Sequence, residues 1–190
     1  AQLAAKIPLS GSIQEHPASR SYDAASASDP FDPTAEISRA QWLTGLVSTS
    51  ELRMNALRRA VEALTTAMGR DPFNVQWPRM RSKLYLDLAQ SNGNDHDYLS
   101  AVDDARRVLD LYPLNPAGVV SLADVEAAAG VALKSQTLLR EALTNYDQAI
   151  RLDDQRLSWE TLHRMREREK DEILAKMRRV RELLGVWRGE

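Results

Sequence analysis

Small and apolar residues return along this chain at a fixed spacing. Ala60, Leu64, Ala67 and Pro72 are separated by four, three and five positions, and 41 residues later Ala101, Ala105, Val108 and Pro113 repeat that spacing. Another 41 residues on stand Ala142, Tyr146, Ala149 and Asp154, and an earlier copy reads Ala18, Tyr22, Ala25 and Pro30. Residues three and four apart share one face of an α-helix. Each set therefore marks a helix whose small side chains admit a neighbouring helix closely. The proline that follows cannot continue a helix and ends it. Ala60, Ala101 and Ala142 are expected at tight helix–helix contacts.

A second kind of helix alternates with the first. Its apolar positions are Trp42, Leu43, Leu46 and Val47, then Leu84, Tyr85, Leu88 and Ala89, then Val125, Ala128, Ala129 and Gly130. Asp32-Pro33 and Asn115-Pro116 each place a capping residue before a proline at the first helical position, and Asn74 offers the same cap. Breaks fall at Ser48-Thr49-Ser50-Glu51, at Ser91-Asn92-Gly93-Asn94-Asp95 and near Gly130; Ser48 with Glu51 has capping-box spacing. The pattern predicts helices over 14–28, 34–48, 50–69, 75–91, 96–112, 116–130, 135–152 and 158–184. The last, capped by Ser158, is charged from His163 to Glu172. It then carries Ile173, Met177, Val180, Leu184 and Trp187 as a heptad-like stripe. Such a stripe covers the open end of a repeat stack, or docks a partner or a second copy of the chain.

The paired helices resemble the tetratricopeptide repeat. Trp42 with Gly45 and Leu46, Tyr85 with Leu88 and Ala89, and Ala129-Gly130 stand for its large-then-small signature in the first helix of a hairpin. The Ala/Leu/Ala/Pro-type sets stand for its second helix. The match covers most of residues 14–154, preceded at 1–13 by a linker or the end of an earlier repeat, and followed at 155–190 by a long capping helix. The resemblance implies an all-α fold of stacked antiparallel hairpins in a right-handed superhelix. The repeat of about 41 residues exceeds the family's usual ~34 by about two helical turns, which lengthens a helix without rotating its buried face. It further implies that first helices line a partner-binding face. That places Arg39, Trp42, Arg79, Arg81, Lys83 and Asp87 on a strip suited to an acidic or aromatic peptide. A second resemblance rests on the Ala-rich hairpins, the run Arg151-Leu152-Asp153-Asp154-Gln155-Arg156-Leu157-Ser158 and the charged last helix. It is similar to the soluble C-terminal tail of some bacterial polytopic O-antigen ligase or polymerase-like proteins. On that reading the chain is an accessory domain of a membrane enzyme of cell-envelope polysaccharide assembly.

Composition narrows the function further. A formal net charge of -2 at pH 7 argues against a general nucleic-acid binder. With no cysteine there are no disulfides or thiolate metal sites. No apolar run reaches the ~18 residues that span a bilayer, so no membrane insertion by this segment is expected. Residues 1–6 lack an initiator Met and a signal-peptide core, which reads as a fragment or a processed form. The bacterial cytoplasm and an extracytoplasmic location both stay open. His16, His96 and His163 are scattered. Asp95-His96-Asp97 sits in a predicted turn, where such residues cap and bend the chain. Adjacent pairs such as Asp103-Asp104 and Asp153-Asp154 do not face each other on a helix. The sequence therefore reads as a non-catalytic scaffold without cofactor or metal, partnered by a protein or peptide and able to pair weakly with itself through the last helix.

Overall fold

The computed structural model describes residues 16–45, 50–156 and 164–186. Those residues form eight α-helices and no strand: α1 (Pro17–Ser28), α2 (Thr34–Thr44), α3 (Ser50–Arg70), α4 (Gln76–Asn92), α5 (Asp95–Leu111), α6 (Pro116–Ala132), α7 (Gln136–Asp154) and α8 (Glu167–Val186). The helices pack mainly on their neighbours in sequence: α2 on α3, α4 on α5, α5 on α6, and α6 on α7. This is an all-α arrangement of the helical-repeat type. The chain divides into two compact units, Ala1–Pro72 and Phe73–Glu190.

Local chemistry starts and stops the helices. Asp32 accepts hydrogen bonds from the Thr34 amide (2.9 Å) and hydroxyl (2.6 Å), and Asn74 from the Gln76 amide (3.1 Å). Asn94 and Asn115 cap α5 and α6 through the amides of His96 (2.9 Å) and Ala117 (3.2 Å), and Ser135 caps α7. Each satisfies a donor that the first turn leaves unpaired. Asp95 and Asp97 lie in the first turn of α5, where their charge suits the helix dipole. Gly93 ends α4 at φ +66, a left-handed conformation that glycine adopts without a Cβ penalty.

In the first unit the repeat signature is buried: Ala60, Leu64 and Ala67 are inaccessible to solvent. Arg70 ties the end of α3 to the preceding helices. It donates to the Asp32 carbonyl (2.9 Å) and the Ser26 hydroxyl (2.7 Å), and the same hydroxyl donates to buried Glu36 (2.6 Å). The earliest copy of the signature behaves differently. On α1, Ala18 and Tyr22 are half-buried and Ala25 is exposed, whereas Ser19 is buried. α1 packs mainly on α2 and meets α3 through the Arg70 bond to Ser26, so much of its surface stays exposed.

In the second unit the signature is again the core. Ala101, Ala142 and Ala149 are fully buried, and Ala105, Val108 and Tyr146 nearly so. Val102, Leu122, Val125 and Leu138 fill the space between α5, α6 and α7. Burial of a Leu or Val side chain contributes about 1.5–3 kcal/mol against the cost of ordering it. α6 is apolar nearly all round and lies under three neighbours, since Ala123 also packs in a cluster with Ile173 and Met177 of α8. Gly130, expected to break α6, lies inside it. The helix runs on to Ala132, and the missing Cβ lets α7 approach at Leu139.

α8 also departs from expectation. It begins at Glu167, and residues 164–166 are not helical, so a continuous helix from 158 is not formed. Ser158, Trp159, His163 and Trp187 lie outside the described residues, as do Leu46, Val47 and Ser48. The stripe Ile173, Met177, Val180 and Leu184 is buried; Ile173 and Met177 pack with Ala142 and Tyr146, and Val180 and Leu184 with Leu139.

Candidate functional site

The first-helix residues singled out by sequence meet different fates. Arg39 of α2 pairs with Asp23 of α1 at 2.6 Å. Trp42 packs against His16 and Tyr22, ring centroids 5.0 and 6.0 Å away. Both are thus engaged by α1. Arg81 of α4 turns toward α5, where its Nε and Nη2 each donate to the Asp104 carboxylate at 2.7 Å. Asp104 is buried, and Arg81 also stands 5.7 Å above the Tyr85 ring. A bidentate guanidinium–carboxylate pair with one buried member is a structural tie, because losing either partner strands a charge.

Arg79 and Lys83 differ from Arg81. They are exposed, one turn apart on α4, and form no ion pair among the described residues. Asp87, a further turn on, is half-buried. Trp77 is half-buried, and its enclosed indole nitrogen finds no acceptor among the described residues. Arg39 and Trp42 belong to the first compact unit, and the α4 residues to the second.

A second feature has no counterpart in the sequence reading. An open groove of about 670 Å³ lies between α5 and α7, with α6 as its floor. Arg106 of α5 forms one wall, Glu141 and Asn145 of α7 the other, and Thr137, Arg140 and Thr144 the rim. The floor is Leu122 and Glu126. Glu126 is 1% exposed, and burial pushes its carboxyl up to about 7, against the opposing pull of Asn145 and Arg106. Its Oε2 accepts from Asn145 Nδ2 at 2.6 Å, but its Oε1 is 3.6 Å from Arg106 Nη2, which donates at 2.8 Å to Glu141 instead. On a largely apolar helix, Glu126 is a buried acid, and its charge among apolar neighbours is the signal that could have drawn attention to the site.

On the other side of α6, Asp124 accepts from the Tyr146 hydroxyl (2.5 Å) and pairs with Lys176 of α8 (2.8 Å). Burial, and then the hydrogen bond to Asp124, push the Tyr146 hydroxyl far up, so it remains a donor. The acidic turn around His96 is a cap: Asn94 holds the His96 amide, and Asn92 donates to Asp97 at 2.8 Å. Among the described residues no group of three or more His, Asp or Glu side chains is placed to hold a metal ion, and no helix is long and apolar enough to cross a membrane.

The class that the fold defines is an all-α protein of the stacked helical-repeat type. No family model matches this chain, and no curated protein matches it.

Proposed function

We propose that the chain is a non-catalytic, tetratricopeptide-like interaction module that binds an acidic peptide or protein segment along α4. One observation carries the reading: Arg79 and Lys83 are exposed cations one turn apart, with no ion pair among the described residues. Four residues of α-helix rise about 6 Å. Alternate side chains of an extended peptide share one side and stand about 7 Å apart. Two carboxylates at alternate positions therefore match the pair. Exposed ion pairs are worth only about 0.2–1 kcal/mol each, so affinity also needs apolar contacts beside them. Arg81, held by Asp104, supports the surface rather than contacts the ligand, and Arg39 and Trp42 are engaged within the first unit and take no part in it. The apolar stripe of α8 is buried within the chain, so we expect a monomer in solution.

The test is fluorescence anisotropy with a labelled peptide carrying glutamate at alternate positions. Arg79→Glu with Lys83→Glu should weaken binding at least about tenfold and remove most of its salt dependence. The control is Arg178→Glu with Arg179→Glu on α8, which changes net charge equally. If the control weakens binding as much, the effect is general charge and α4 is not the site.

A further inference from the structure

We propose that Asp87 is the specificity residue of the α4 surface: it selects a basic residue two positions beyond the acidic pair, so that the partner segment carries the order acid, acid, base at alternate positions. The inference rests on the binding of an acidic segment along α4, and it adds the register and the third residue of that segment.

The first argument is the face. Gln76, Arg79, Lys83, Asp87 and Gln90 recur at steps of three and four, so they lie along one side of α4, away from buried Leu84 and Leu88. Asp87 is half-buried and the other four are exposed. Arg79 to Lys83 and Lys83 to Asp87 are each four residues, about 6 Å of helix rise. Alternate residues of an extended peptide stand about 7 Å apart. A segment that sets two carboxylates on the cations therefore reaches Asp87 with its next inward-facing side chain. A carboxylate there would meet a like charge; a lysine or arginine meets its complement.

The second argument is that α4 itself does not account for this order of charges. Arg79 stands in the first turn, where the helix dipole disfavours a cation, and that turn carries no acid. Lys83 precedes Asp87, which is the weaker sense of an i,i+4 pair, and the two form no ion pair. Arg81, the other cation of this stretch, is held by Asp104. The Ser91 hydroxyl bonds the Asp87 carbonyl at 2.7 Å, not its carboxylate, which has no ion pair among the described residues.

The third argument is the surroundings of Asp87. Leu86, beside it, is half-buried and packs against the cluster of Val102 and Leu138. Its exposed remainder suits the aliphatic stem of a basic side chain whose charged end reaches Asp87. Partial burial also screens Asp87 less than a fully exposed charge, which sharpens its choice between a base and an acid.

The experiment is an NMR titration of the full chain at low salt with three blocked pentapeptides of one composition: Glu-Ala-Glu-Ala-Lys, Lys-Ala-Glu-Ala-Glu and Glu-Ala-Lys-Ala-Glu. All three have the same net charge, so general attraction does not separate them. One of the first two, whichever direction suits α4, should bind at least about threefold more tightly than the third, as an exposed ion pair supports. Asp87→Lys, checked for folding by circular dichroism, should abolish that preference, and Asp87→Asn should weaken it. If the isomers bind the parent alike, or if Asp87→Lys keeps the preference, Asp87 does not select the segment; the α4 reading still stands where Arg79→Glu with Lys83→Glu abolishes binding. If no isomer binds, or if binding survives that double variant, the α4 reading fails and this inference fails with it.

Discussion

Gly130 shows how one residue type carries two messages. Beside Ala-rich sequence it reads as a helix end, yet it lies within α6, where α7 comes closest. A Cβ there would stand 2.8 Å from Leu139 Cδ2, 2.9 Å from Cγ and 3.1 Å from the Leu139 backbone nitrogen. The side chain could rotate away, but the backbone nitrogen belongs to α7 and moves only with it. Alanine gains about 1 kcal/mol of helix propensity over glycine, whereas overpacking costs about 1–3 kcal/mol. We expect Gly130→Ala to be destabilising on balance, read as a lower urea midpoint at unchanged slope. A midpoint above the parent's would mean that the two helices can spread at little cost.

At the scale of the element, α8 depends on an anchor outside itself. Asp153, at the end of α7 and fully buried, accepts from the Met165 amide at 2.7 Å and lies 3.0 Å from Lys170 Nζ, which also reaches Asp154 at 2.7 Å. Burial by itself would raise the Asp153 carboxyl. The Met165 amide and the Lys170 ammonium outweigh it and hold the group below its ordinary value. Asp153→Ala strands the Met165 backbone donor and leaves Lys170 with Asp154 alone, a loss of about 1–3 kcal/mol. Hydrogen exchange across α8 should accelerate accordingly at pH 7. Because the folded-state value is depressed, the contribution is present above the unfolded carboxylate range and fades as pH falls through and below it. The stability difference between parent and variant should therefore shrink as pH falls below the ordinary carboxylate range. Unchanged exchange in α8 would show that the buried stripe alone holds the helix.

For the whole molecule, the division at Pro72 has a consequence that can be measured. The clusters built on Val102, Leu122, Leu138, Leu139, Tyr146, Ile173 and Val180 draw every member from α4 to α8. A chain of residues 73–190 carries that core complete and should be helical, with a cooperative thermal transition by circular dichroism. A gradual, non-cooperative loss of signal would show that this core does not suffice.

Sequence by itself determined the helices and much of the packing. Periodicity and caps act within a few residues, so Asp32, Asn74, Asn94 and Asn115 mark helix starts without knowledge of any distant partner. The small-residue spacing picked out Ala60, Ala101 and Ala142, each at 0% exposure. The heptad-like spacing likewise picked out the buried residues of α8. Tertiary structure decided which charges are free. Arg79, Arg81 and Lys83 look alike in a string, but Asp104, 23 positions after Arg81, takes that one out of play. Arg39 is engaged by Asp23, 16 positions before it. The groove over Glu126 belongs to no single segment, because α5 and α7 flank it only once both have packed on α6. The onset of α8 is likewise set through space: a charged run favours a helix locally, but Asp153 holds the Met165 amide outside one, and the helix begins at Glu167. Helix formation is a local balance of propensity and capping, whereas the state of a charge depends on what folding brings beside it through space.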